Sequence, residues 1–296
     1  MDPFADRLAA LVEERRSQVC LGLDPVPGSE PWCSGAAPDT GRAAERAAAA
    51  VTATCISLIE SAGPACVAVK PQLARFEALG APGWDALERT VEAAHDAGLL
   101  LIADGKRGDV PVSAEAYADV FFGSTPTPWG EIPGLGADAA TLNPLLGRDS
   151  LEPLIDRARA VGGGVFLLVR TSNPGAADVL DTDSAGMPLH ERIAREVDAL
   201  APRLAGFDAD GLSGVGAVVG ATEPGFIARL RELMPRAILL LPGVGAQGGD
   251  AGLLGAAFAP GPASALVTAS RSVAGAADPR RAAEELRDVV WAAAAG

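Results

Sequence analysis

Apolar runs of strand length recur along the chain, separated by stretches with helical spacing of apolar and charged positions. Gln18 to Asp24, Ala65 to Lys70, Leu99 to Lys106, Ala137 to Asn143, Val165 to Thr171, Val215 to Ala221, Ala237 to Leu241 and Ser264 to Ser270 read as strands. Thr40 to Ser61, Trp84 to Ala97, Ser150 to Val161, Leu189 to Leu204, Pro224 to Met234 and Pro279 to Ala295, rich in Ala, Glu and Arg, read as helices. Strands that are apolar throughout and alternate with helices imply a parallel sheet covered on its outside. Eight such runs favour closure over an open sheet, so the pattern predicts a (β/α)8 TIM barrel formed by residues 1–296 as one domain. Two segments break the rhythm: Phe122 to Gly136, rich in Gly, Pro and Thr, and Asn173 to Pro188, rich in Gly, Asp and Ser. Either suits an active-site lid or a subunit contact. An inert insertion is equally open for the first, whereas the second directly follows the fifth strand and is the better lid candidate.

Charge narrows the partners. A net charge of −14 repels phosphate backbones, so no nucleic acid is expected, and an anionic ligand must be met by a local positive pocket. Met1 to Gln18 is charged and amphipathic, and no later stretch runs to membrane-spanning length free of polar breaks, so the expectation is a cytoplasmic protein without a membrane partner. Cys20, Cys33, Cys55 and Cys66 lack Cys-x-x-Cys spacing and nearby histidines, and read as incidental thiols with no metal site. His95 and His190 fall in helical stretches away from any motif, and neither reads as catalytic.

Composition holds one sharper clue. Of 24 basic residues only Lys70 and Lys106 are lysine, leaving 22 arginines. Arginine serves wherever a generic cation will do. Lysine offers what arginine does not, a compact ammonium able to give up its proton.

Both lysines fall where chemistry gathers in a barrel, at the C-terminal ends of strands. The first strand ends in Asp24, the second in Lys70, and the third in Asp104-Gly105-Lys106-Arg107-Gly108-Asp109. Alternation along a strand points Asp104 and Lys106 to the same side, about 7 Å apart. Three carboxylates and two ammonium groups converging on a barrel mouth are ill suited to a structural core. A surface ion-pair network at the rim is the plain alternative for any single pair, but not for a set that holds every lysine of the chain.

The last two strands run into a second constellation. Gly243, Gly245 and Gly248 follow the seventh strand, and Ser270 and Arg271 end the eighth, where barrels commonly bind phosphate. Glycines bare backbone N–H groups, and an arginine fork grips phosphate oxygens. The same glycines fit Gly-x-Gly-x-x-Gly, but they come late in the chain, with no acidic residue ending the next strand and no further strands to complete a dinucleotide domain.

Taken in order, Leu23-Asp24-Pro25, Val69-Lys70-Pro71, Asp104-x-Lys106-x-x-Asp109, Thr171-Ser172-Asn173-Pro174-Gly175, Pro242-Gly243-Val244-Gly245-Ala246-Gln247 and Arg271-Ser272 resemble the orotidine 5'-phosphate decarboxylases, and the form with Arg107 and Gly108 is similar to their longer bacterial subgroup. The resemblance spans Leu21 to Val273. It implies decarboxylation of orotidine 5'-phosphate to uridine 5'-phosphate and CO2 in pyrimidine synthesis, with no metal or organic cofactor. It further implies catalytic Lys106, Asp104, Asp109 and Lys70; ribose contacts from Asp24 and Lys70; Ser172 on the pyrimidine; and Gln247 and Arg271 on the phosphate. A homodimer is implied in which Asp109, with Ser113 beside it, reaches the partner's site. Val110 where isoleucine is commoner and Ser270 where glycine is frequent are mild departures.

Three rivals stay open from the residues alone. A Schiff-base lysine is disfavoured because neighbouring carboxylates favour the protonated amine. A metal-dependent sugar-phosphate decarboxylase or synthase would share the Asp-x-Lys-x-x-Asp element, and a non-catalytic phosphate-binding barrel would share the fold. Whether Asp104 repels the substrate carboxylate or orients Lys106 is not decided by spacing.

Overall fold

A computed structural model describes residues 1–207, 211–245 and 248–295. The chain runs through α1 (Phe4–Arg15), β1 (Val19–Leu23), α2 (Ala43–Ala62), β2 (Ala68–Pro71), α3 (Leu73–Glu77), α4 (Ala81–Asp96), β3 (Leu100–Arg107) and α5 (Pro111–Phe122). It continues through β4 (Ser124–Thr127), β5 (Gly130–Pro133), β6 (Ala139–Leu142), α6 (Glu152–Val161), β7 (Gly164–Arg170), α7 (Ala177–Leu180), α8 (Leu189–Leu200) and β8 (Ser213–Val219). The last elements are α9 (Pro224–Leu233), β9 (Ala237–Pro242), β10 (Ala265–Ala269), α10 (Arg271–Ala274) and α11 (Pro279–Ala295). β1, β2, β3, β6, β7, β8, β9 and β10 pair in parallel and close into one barrel, so all eight strands expected from the apolar runs are present.

Strand alternation sorts the core into two layers. Leu21, Val69, Leu101, Leu167, Leu239 and Val267 face outward and pack under the helices. Cys20, Ala68, Ile102, Ala139, Phe166, Val218, Leu240 and Leu266 fill the barrel interior. α1 closes the bottom, with Phe4 meeting Phe166 edge-on at 5.9 Å between ring centroids. A Cβ at Gly164 would lie 2.8 Å from the Phe4 ring, so only glycine leaves room for this plug. α2 is long and apolar enough by composition to cross a membrane, yet more than half of it is buried, and it packs on α4 and α11 as a core helix.

The two interrupting segments are not bare loops. Within Phe122 to Gly136, β4 and β5 form an antiparallel hairpin closed between Thr127 and Gly130, which has φ +122°. Strands of four residues with mostly exposed side chains carry too little apolar alternation to announce themselves in sequence. Asn173 to Pro188 contains α7 and a bridge between Asp183 and Pro188.

Parallel register sets the ends of β1, β2 and β3 side by side: Gly22 pairs with Lys70, and Gln72 bridges to Asp104. Above them opens a cavity of about 1020 Å³ at the C-terminal mouth of the barrel.

Candidate active site

Asp104 is the hub of this mouth. It is 4% exposed, and its two oxygens are contacted by Lys70 Nζ at 2.6 Å and Lys106 Nζ at 2.6 Å. Thr141 Oγ1 donates to Asp104 Oδ1 at 2.8 Å, and Gln72 Nε2 approaches Oδ2 at 3.4 Å. Burial alone would raise the carboxyl's pKa, but the two ammonium groups hold it below the ordinary carboxylate range. Burial pulls Lys70 the other way, and the charges of Asp104 and Asp24 outweigh it, so its ammonium is held more firmly than usual.

Regular alternation does not deliver the Asp104–Lys106 contact. Pairing of β3 with β6 slips between Ala103 and Arg107, and Lys106 adopts φ +49°, a left-handed conformation that costs a non-glycine residue about 1 kcal/mol or more. Its N–H donates to Thr141 Oγ1 at 2.9 Å, which fixes the twist. The result folds the Lys106 side chain back onto Asp104. The two lysines then differ in access: the Lys106 side chain is 41% exposed to the cavity and that of Lys70 only 7%.

Around this pair the cavity is apolar below and polar on its walls. Leu168, Val218 and Leu240 form its floor, and Asp24, Ser172, Asn173, Thr268 and Arg271 stand on its walls. Among the described residues, Asp24 Oδ1 and Thr268 Oγ1 are buried without a hydrogen-bond partner. Buried polar atoms are rarely left so, and a ligand carrying hydroxyl groups would satisfy both. The exposed guanidinium of Arg271 at the rim is placed for an anionic end of the same ligand.

Of the residues expected at the site, the structure brings Asp24, Lys70, Asp104, Lys106, Ser172, Gly243, Ser270 and Arg271 to one cavity. Gly245 and Gly248 take φ +73° and +91° and shape the turn after β9. Their N–H groups are not bared as expected: Gly245 donates to Gly249 O at 2.9 Å and Gly248 to Gly245 O at 2.8 Å. Gln247 lies outside the described residues. Asp109 and Ser113 do not line the cavity, and Asp109 Oδ1 instead accepts the Val110 N–H at 2.8 Å. His95 and His190 stand away from it.

Sequence reasoning passed over Gln72, Thr141 and Thr268. Each carried a signal: Thr141 and Thr268 are the polar positions near the mouth ends of otherwise apolar strands, and Gln72 follows Lys70 by one step of alternation. It also passed over the segment after β1, where Glu30, Pro31 and Trp32 supply one wall.

A hub aspartate holding two lysines at a barrel mouth narrows the comparison with known proteins. The model of the Orotidine 5'-phosphate decarboxylase / HUMPS family matches residues 17–286. The chain belongs to this family. It is 41% identical to the orotidine 5'-phosphate decarboxylase of Deinococcus radiodurans over 292 residues, covering 96% of each chain. Identity to that of Rhodopirellula baltica is 40%, over 92% of this chain and 88% of the relative. Among solved structures, Leishmania donovani OMP decarboxylase superposes with a TM-score of 0.76 at 32% identity, covering 99% of this chain and all of the other. The orotidine 5'-phosphate decarboxylase family thus accounts for the barrel, its length and the motif order together.

Proposed function

We propose that the chain decarboxylates orotidine 5'-phosphate to uridine 5'-phosphate and CO2, the step that completes UMP in pyrimidine biosynthesis. The observation that carries the reading is the hub: one buried carboxylate with a lysine on each oxygen, opening on a cavity with orphaned polar atoms. Loss of CO2 breaks the bond from C6 and leaves its electron pair on a ring carbon with no carbonyl placed to receive it. The cavity-facing ammonium of Lys106 stabilises that carbanion and then gives C6 its proton, and the amine recovers a proton from solvent. Asp104 acts chiefly by holding the ammonium groups, because both its oxygens are already engaged. Lys70, the more buried cation, positions the hub and faces the ribose with Asp24. Ser172 takes the pyrimidine, and Arg271, with Gln247, the phosphate. The positive charge needed at C6 comes from the chain itself, which supports catalysis without metal or organic cofactor.

The same reading makes the active unit a homodimer. Asp109 lies off its own cavity and is flanked by exposed Val110 and Val112 at 55% and 80%. Leu145 and Leu146 are also exposed and follow Asn143, on which Gly108 packs directly. Exposed apolar clusters of this kind mark protein contacts. Free cysteines, including exposed Cys33, suit a reducing cytoplasm.

Loss of orotate absorbance with the purified protein tests the reaction, and no loss would overturn it. Turnover that survives chelation separates it from the metal-dependent sugar-phosphate enzymes. Mixing the Lys106→Ala and Asp109→Ala variants tests the dimer, since activity returns only where each subunit completes the other's site.

A further inference from the structure

Arg170, at the end of β7, is 6% exposed and faces away from the cavity toward the segment that follows Ser172. Its Nε and Nη2 fork onto Asp181 at 2.8 and 3.0 Å, and its Nη1 donates to Thr171 O at 2.8 Å. The guanidinium lies over the Phe226 ring at 4.9 Å, with Glu223 at 3.7 Å. Asp181 is gripped from the other side as well: His190 Nδ1 stands 3.1 Å from its Oδ1 and donates to Leu180 O at 2.8 Å. The segment from Thr171 to Leu189 is therefore fastened at its base by the residue before it and by the helix after it. Beneath it, a Cβ on Gly220 would fall 2.9 Å from Ser172 Cα, so Ser172 is seated directly on the end of β8. Gly220 N–H donates to Arg170 O at 2.8 Å, which ties that seat to the same residue.

An arginine cannot shed its charge, and a buried one is retained only where its donors are met. Here they are met by the start and the middle of one segment, at Thr171 O and Asp181, and the segment's first residues, Thr171, Ser172 and Asn173, line the cavity. We infer that Arg170 and Asp181 form a positioning clasp that holds the Thr171–Asn173 wall preformed for the pyrimidine end of the substrate. The inference rests on the decarboxylase reading for the identity of that substrate, but not for the clasp itself. A preformed wall spares ordering on binding, so its loss weakens ground-state and transition-state binding alike and appears in KM.

The test compares Arg170→Ala, Asp181→Asn, the double variant and Arg170→Lys by steady-state kinetics and by amide hydrogen exchange over residues 171–188. Expected is a KM raised about tenfold or more with kcat within about threefold. The double variant should be no worse than the worse single one, because the pair acts as a unit. Lysine should restore part of the loss, since it meets one acceptor at a time. Exchange in 171–188 should quicken while the barrel strands stay protected. Asp181→Asn keeps the arginine and the segment's length, so it remains informative if Arg170→Ala does not fold. Unchanged KM with unchanged exchange in Asp181→Asn, or strictly additive effects in the double variant, would overturn the clasp. Exchange reads the clasp even in a protein that fails to consume orotidine 5'-phosphate, so failure of the decarboxylase reading is seen separately.

Discussion

Two aspartates, Asp104 buried and Asp138 half-buried, anchor opposite ends of the barrel, and their surroundings separate chemistry from architecture. Asp104 at the mouth and Asp138 at the bottom each collect several donors, and each has its carboxyl held below the usual range against the opposing pull of burial. Asp138 is met by Arg7 of α1, by His95 of α4 at 3.4 Å and by the Leu101 N–H at 2.8 Å. Every one of those partners is a scaffold element, and the cluster ties the plugging helix and α4 to the bases of β3 and β6. Asp104 is met by two lysines and a threonine beside a cavity that also holds orphaned polar atoms. A carboxyl held below its usual range against the pull of burial does not by itself mark a site. A transferable proton facing open space does.

The comparison breaks first at Lys106. Lys106→Ala should cost about 10⁴-fold or more in turnover, because one substitution removes both the stabilising charge and the proton donor. The melting temperature should change little, since that side chain is partly exposed and Lys70 still pairs with Asp104. Steady-state kinetics beside a thermal melt decides it, and a collapse of both would make Lys106 a fold residue like Arg7. Asp104→Asn should fall next, about 10³-fold in turnover, and unlike Lys106→Ala it should also cost about 3 kcal/mol, because Lys70 is left buried without its carboxylate. Denaturant melts at two pH values sharpen the point. The variant should regain stability at high pH as the stranded amine neutralises, whereas the wild type should not.

The strands were legible because each is a largely apolar run stopped by a polar, charged or glycine-rich step, and the two lysines were legible because arginine fills every other Lys/Arg position. What joins them was not. The left-handed Lys106 follows from a slip in β3–β6 pairing, a property of two strands rather than of one. The Arg170–Asp181 fork spans eleven residues in a chain rich in arginine and aspartate, where no spacing singles out one pair. The wall formed by Glu30, Pro31 and Trp32 lies in irregular backbone, where periodicity carries no information. Thr141 and Thr268 could have been found by carrying the alternation of Lys70 and Asp104 across the register.

At the bottom of the barrel the same experiment should invert. Asp138→Asn should cost about 2 to 3 kcal/mol in a denaturant melt, because it breaks a partly buried arginine pair and weakens the tie to Leu101 N–H, yet kcat and KM should stay at their wild-type values. A change in KM would mean that the two ends of the barrel are coupled.

The smallest effect lies with His95, and pH gives it a sign. The hydrogen bond to Asp138 raises the His95 pKa above its ordinary 6.5, more than burial lowers it. A group whose folded-state pKa is raised contributes stability that is fully present below the unfolded value and is lost as pH rises through the folded one. The wild-type melting temperature should therefore decline from below pH 6.5 toward alkaline pH by an increment missing from His95→Gln, while the Asp138 carboxylate, already ionised, contributes nothing over that window. With its side chain 41% exposed, His95 should contribute only a small part of the cluster's stability. Melts of the two proteins from pH 5.5 to 8.5 read the difference, and parallel curves would leave Arg7 and the Leu101 N–H as the whole of the tie.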